Sequence, residues 1–179
     1  MTWRSSMVRA AVLCAVGAGT LAAQAPGKDS VIAAARDVMT RARYATLGTV
    51  SGAQPAARVV DPQAPDRDLT VWIATNPATR KVEEIRKNPR VSLMYFDATG
   101  LEYAMLAGTA TIVSDRAEIR RHWKAEWKPF YAKGPDGDDI ILLRVRPTRV
   151  EVVSPKHKLR SEEHTSELQS PMYLVCRLL

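Results

Sequence analysis

Residues 75–97 read TNPATRKVEEIRKNPRVSLMYFD, and the first seven of them crowd cations and hydroxyls into one turn. Thr75, Asn76, Thr79, Arg80 and Lys81 fall between the end of a strand pattern and the start of a short helical one. Amides at a helix N-terminus attract anions, and Arg and Lys add charge-assisted hydrogen bonds to a phosphate. A phosphate cradle is one reading of this turn. A solvated helix start with ordinary caps, its Arg80 and Lys81 exposed or paired with Glu84, is the other. The residues alone leave the two level.

Arg58, in AARVVD, offers a second planar guanidinium suited to phosphate, or else a surface ion pair with Asp61. No catalytic constellation accompanies these groups. His122, between Arg121 and Trp123 on a helical pattern, reads as structural. The chain has no G-x-S-x-G elbow, H-E-x-x-H pair or Walker loop. Asp136, Asp138 and Asp139 lack calcium-loop spacing, so a solvated loop is expected there and no metal site. Trp123, Trp127, Phe130 and Tyr131 form an aromatic cluster of the kind more often found in a core or dimer contact. An enzyme with this inventory would depend on a bound cofactor.

The elements that must position these groups follow from periodicity. Residues 29–43 give a helix with Ser30 as N-cap and Val31, Ala34, Ala35, Val38 and Met39 on its apolar face. Strand patterns over 44–50 and 56–60 form a hairpin about Ser51-Gly52. A third strand spans 69–75, a short helix 79–87 and a fourth strand 91–96. A long strand over 102–114 carries Gly108, which marks a bulge or close backbone approach. Asp115 caps a helix over 116–127, a loop covers 129–139, and strands over 140–145 and 149–153 are broken at Pro147. Short strands, hairpins and few helices predict a mainly β fold, an antiparallel barrel with peripheral helices.

The 179-residue chain suits one domain. Residues 1–25, with Arg4 and Arg9 ahead of an apolar run over 10–23, read as a cleaved Sec-type signal peptide, and a periplasmic or secreted product is expected. No further membrane span is expected after cleavage. Residues 160–170, RSEEHTSELQS, resemble the translation of a sequencing-adapter oligonucleotide, so 160–179 is expected to be read-through beyond a truncated natural domain over 26–159. Cys14 and Cys176 both fall outside that domain, which removes disulfide and Cys-based chemistry. The domain holds 22 basic and 16 acidic residues, a net charge of +6. That charge suits an anionic ligand. Its even spread, without a basic arm, speaks against nucleic acid as a partner.

R-V-V at 58–60, W-I-A-T-N at 72–76, T-R-K-x-x-x-I-x-x-N-P-R-V-S-L at 79–93 and A-G-T-A-T-I-V-S-D at 107–115 together resemble the pyridoxamine 5′-phosphate oxidase-like family of FMN-binding split barrels. The resemblance covers about residues 42–153. It implies a split antiparallel β-barrel that forms a homodimer and holds FMN at the subunit interface. It places Arg58, Val59 and Val60 along the flavin phosphate and ring, continues the site through Ala74 and Thr75, and clamps the phosphate with Arg80 and Lys81. The departures are specific. Asp61-Pro62-Gln63 replaces the apolar pair and substrate-binding Lys of the authentic oxidases, Tyr103 stands near their flavin-contacting Gln, and their C-terminal Arg- and Trp-bearing motif is absent. The chain therefore looks like the general-stress-protein branch. An exported FMN-dependent oxidoreductase acting on an unidentified small molecule is expected. The alternatives are a non-catalytic binder of flavin, haem or deazaflavin F420, and a cofactor-free dimer.

Overall fold

A computed structural model describes residues 27–159 and the backbone of 175–177; the proposed signal peptide and most of the proposed read-through lie outside the described residues. The chain runs α1 (Lys28–Ala42), β1 (Ala45–Ser51), β2 (Gln54–Val60), β3 (Val71–Thr75), α2 (Arg80–Lys87), β4 (Arg90–Asp97), β5 (Glu102–Val113), α3 (Arg116–Arg121), β6 (Ile141–Val153) and β7 (Val175–Arg177). All strand pairs are antiparallel, in the order β2-β1-β4-β5-β6-β3, with β7 pairing β6 at residues 149–151.

The two outer strands of that order are drawn together. Just past β2, Pro62 bridges Ile73 of β3, and the Gln63 amide donates to the Trp72 carbonyl at 2.8 Å. The sheet thus curls into a mainly β half-barrel with three helices. Its hollow is filled from α1. Val31, Ala34, Ala35, Val38 and Met39 are all buried against Leu47, Leu93, Tyr95 and Leu106, as the helical period predicts.

Three local details differ from expectation. The N-cap of α1 is Gly27, and the Ser30 hydroxyl donates to the Gly27 carbonyl at 2.6 Å. The helix after Asp115 stops at Arg121, and a separate 3₁₀ turn covers Ala125–Trp127. Asp115 does cap it, accepting from the Ala117 amide at 2.9 Å. Pro147 does not break the last strand. The register shifts at Ala107/Gly108, and Gly108 faces Pro147 there. A Cβ on Gly108 would sit 2.1 Å from the Arg146 carbonyl oxygen, so the predicted close approach is real and only glycine fits.

A charged clasp ties α1 to the sheet. Arg41 donates from Nε to Asp97 at 2.7 Å, pairs with Asp37 at 2.5 Å, and hydrogen-bonds buried Glu102. Glu102 also accepts from Ser154 Oγ at 2.6 Å and the Lys156 amide at 3.2 Å. Asp37 is met again by Lys156 at 2.9 Å and His157 at 2.8 Å. Its carboxyl is held well below the usual carboxylate range, chiefly by the His157 hydrogen bond, then by Arg41 and Lys156.

Candidate functional site

The β3–α2 turn is built around Asn76. Its side-chain oxygen accepts from the Ala78 amide at 2.8 Å, and its carbonyl accepts from Thr79 Oγ1 at 2.8 Å. Thr75 closes β3 with its side chain buried, 3.2 Å from the Thr79 hydroxyl. Thr79 occupies the N-cap position of α2 yet makes no side-chain cap hydrogen bond. Its hydroxyl is turned back to the strand end. The ordinary capped helix start that the sequence allowed is therefore not formed, and the first amides of α2 lack a side-chain acceptor.

Lys81, in the first turn of α2, is half-buried. Among the described residues it forms no ion pair and no hydrogen bond. Burial, and secondarily the Arg58 guanidinium, push its pKa below the ordinary lysine value, while Glu84 partly offsets them. Lys81 lines a cleft of about 520 Å³. Val59, Val60, Ala74 and Thr75 share that lining, so five of the seven sequence-derived candidates meet in one cavity. A cavity of this size is within the range of small-molecule and cofactor sites.

The remaining two candidates lie apart from that lining. Arg58 faces inward on β2 and donates from Nη2 to Glu84 Oε2 at 2.7 Å and from Nη1 to Thr49 Oγ1. Its acidic partner is Glu84, not Asp61. Arg80 is exposed and lines a separate depression of about 160 Å³ with Ser51, Glu83 and Lys87.

Sequence reasoning missed part of the wall. Arg43 and Tyr44 enter the cleft at the α1–β1 junction, where Arg43 has a φ of 59° and its guanidinium stacks 5.2 Å from the Tyr44 ring centroid. A positive φ is uncommon for a residue with a side chain, and turns the chain sharply. Trp127, Phe130 and Tyr131 also line the cleft, as do the acids Asp61 and Glu126. Trp127 is buried and edge-on to Trp123 at 6.0 Å, whereas Phe130 is 78 % exposed. Within the aromatic cluster, core and cleft wall are thus combined. The available signal was the spacing of the three rings after α3.

His122, read from the sequence as structural, packs between β3 and the loop after β2. It stacks on Trp72 at 4.0 Å, its Nδ1 lies 2.7 Å from Gln63 Oε1, and burial lowers its pKa. In the 134–139 loop Asp136 pairs with Arg120 at 2.6 Å and Asp138 with Lys133 at 2.7 Å, while Asp139 Oδ1 is buried without a hydrogen-bond partner.

A curled antiparallel sheet plugged by one helix, with a cationic turn beside β3, defines a class that comparison with known proteins identifies. Residues 31–161 match the family described as "Pyridoxamine 5'-phosphate oxidase like", and the chain belongs to it. Over 126 residues it is 26 % identical to General stress protein 26 of Bacillus subtilis, covering 68 % of this chain and 87 % of that protein. A protein related to general stress protein 26 from Clostridium acetobutylicum superposes with a TM-score of 0.65 at 22 % identity, covering 72 % of this chain and 91 % of that one. A pyridoxamine 5'-phosphate oxidase-related, FMN binding protein from Nostoc punctiforme gives a TM-score of 0.52 at 20 % identity, over 74 % and 85 % of the two chains. The fold is the split barrel expected from the sequence motifs.

Proposed function

We propose that this protein binds FMN in the cleft beside α2 and is an FMN-dependent oxidoreductase acting on a small molecule. The observation that carries the reading is Lys81, a half-buried cation that no acid in the described residues pairs, at the wall of a cofactor-sized cavity. A dianionic phosphate there would meet Lys81, the uncapped α2 amides and the Thr75 and Thr79 hydroxyls. Arg58 and Arg80 would add charge from just outside the lining. Val59, Val60 and Ala74 would lie along the flavin, whose ring supplies the redox chemistry when bound. The FMN binding of the Nostoc relative supports the same choice of ligand.

The active form in this reading is a homodimer. Val59, Thr46, Met94 and Met105 stand in register across β2, β1, β4 and β5, and Val59 is 71 % exposed. Phe96, two residues beyond Met94 on the same face, is 55 % exposed. A largely apolar row of this kind, interrupted by Thr46, on an open sheet suits a second copy. Export through residues 1–25 belongs to the same proposal, and fractionation of cells expressing the full reading frame tests it.

The visible spectrum of the purified protein, followed by FMN titration, tests the cofactor. Flavin bands, or saturable quenching of added FMN, are expected. A Soret band would replace flavin with haem, and a spectrum unchanged by FMN, F420 or haem would leave a cofactor-free dimer.

A further inference from the structure

Outside the cleft lining, on the same helix as Lys81, lies a buried acid whose role the flavin reading does not use. Glu84 lies on α2 three residues beyond Lys81 and is 7 % exposed. Its Oε2 accepts from Thr49 Oγ1 at 2.6 Å and from Arg58 Nη2 at 2.7 Å. The Thr49 hydrogen bond first, then Arg58 and more distant Arg80, hold its carboxyl below the ordinary glutamate value, so it is an anion at neutral pH. A guanidinium has five donors, and two of Arg58's are committed to this pair of partners. Lys81 is close enough to feel both the Arg58 guanidinium and the Glu84 carboxylate, so of these two cations one is offset by Glu84.

We propose that Glu84 is a positioning residue that fixes the Arg58 guanidinium and cancels one of the two positive charges an anionic ligand would meet, so that a phosphate-bearing ligand is held exchangeably. The proposal rests on the flavin reading only for the ligand's name; any phosphate monoester would meet the same charges. A purely structural clip, joining the β1–β2 hairpin to α2, would give different results on substitution.

Glu84→Gln keeps acceptors for Thr49 and Arg58 while removing the charge, and Glu84→Asp keeps the charge on a shorter arm. FMN and riboflavin, which lacks the phosphate, are titrated by fluorescence into wild type and both variants. The expected result is FMN binding about tenfold tighter in Glu84→Gln, from loss of one nearby unit charge. Riboflavin affinity should be unchanged, and Glu84→Asp should stay within about threefold of wild type for FMN. Unchanged or weaker FMN binding in Glu84→Gln overturns the proposal. So does equal tightening of riboflavin, or a Glu84→Gln chain that fails to fold where Glu84→Asp folds. Protection of Lys81 from amine-directed labelling by inorganic phosphate is measured alongside. If wild type binds no FMN, the flavin reading fails on its own. Protection reached at lower phosphate in Glu84→Gln would still uphold the role of Glu84, and equal protection would refute it.

Discussion

The clasp on α1 and the turn before α2 are both rich in charge, and they treat it in opposite ways. In the clasp each ion is matched. Arg41 meets Asp37, Asp97 and Glu102, and Asp37 meets Lys156 and His157 besides. At the turn, Glu84 is spent on Arg58 while Lys81 is half-buried with no partner among the described residues. Taking a charge from water is costly unless something compensates it. The clasp is compensated from within the chain and needs nothing more. Lys81 has the desolvation with only a partial offset from Glu84, and a ligand's anion would supply the rest. The difference separates charge compensated within the chain from charge that is not, and the proposed phosphate would bind the second kind.

The largest effect should come from breaking the compensated side. Arg41→Met leaves Glu102, 3 % exposed, without its guanidinium. A loss of about 3 kcal/mol in unfolding free energy is expected, read from urea titration, with FMN affinity of the folded protein unchanged. A loss below about 1 kcal/mol would mean the clasp is ornamental and the contrast with Lys81 is false.

Lys81→Met should do the reverse. Removing a charge-assisted hydrogen bond to phosphate costs about 1.5–3 kcal/mol of binding, roughly a 10- to 100-fold weaker FMN complex. Unfolding free energy should stay within about 0.5 kcal/mol of wild type, since no partner is stranded. An unstable Lys81→Met chain with intact FMN binding would reverse the roles assigned to the two regions.

The contrast was only half visible in the sequence. Residues 31, 34, 35, 38 and 39 announce the α1 face by their helical period, and Gly108 announces its bulge, because both signals are local. The TNPATRK turn was legible as cations beside a helix start, but not as an uncapped one, since only the backbone shows Thr79 turning away from α2. The pairing of Arg58 with Glu84 joins residues 26 apart, across a strand and a helix. Nothing local favours it over Asp61, three positions away. Trp127, Phe130 and Tyr131 were hidden as cleft residues because the helix expected over 116–127 stops at Arg121, which changes the direction of every ring after it.

The two regions should also part with pH. The depressed carboxyl of Asp37 binds its proton less readily in the folded chain. Its stabilisation is present above the ordinary aspartate value and is lost as pH falls below it toward the folded value. The depressed ammonium of Lys81 has the opposite sense. Between its folded value and the ordinary lysine value the unfolded chain binds more protons, so stability should rise with pH in that alkaline window. Urea midpoints across pH should show an acid loss that Asp37→Asn reduces, the remainder coming from the depressed Asp97 and Glu84, and a small alkaline gain that Lys81→Met removes. An alkaline limb that survives in Lys81→Met would assign it to another group.

Arg80 gives the smallest and most discriminating effect. It is adjacent to Lys81 in sequence and carries the same charge, so motif reasoning weights the two alike. In space Lys81 lines the cleft, while Arg80 is exposed and lines the depression beside Glu83 and Lys87. An exposed charge outside the site acts through solvent and is screened by salt. Arg80→Ala should therefore weaken FMN binding by less than about threefold in moderate salt, and the deficit should vanish at high ionic strength. Lys81→Met should keep most of its loss there, because in the proposed complex its contact with phosphate would be direct and half-buried. If the two substitutions weaken binding equally and with the same salt dependence, the phosphate sits over the helix start between them and not in the cleft, and the separation of Lys81 from its neighbour disappears.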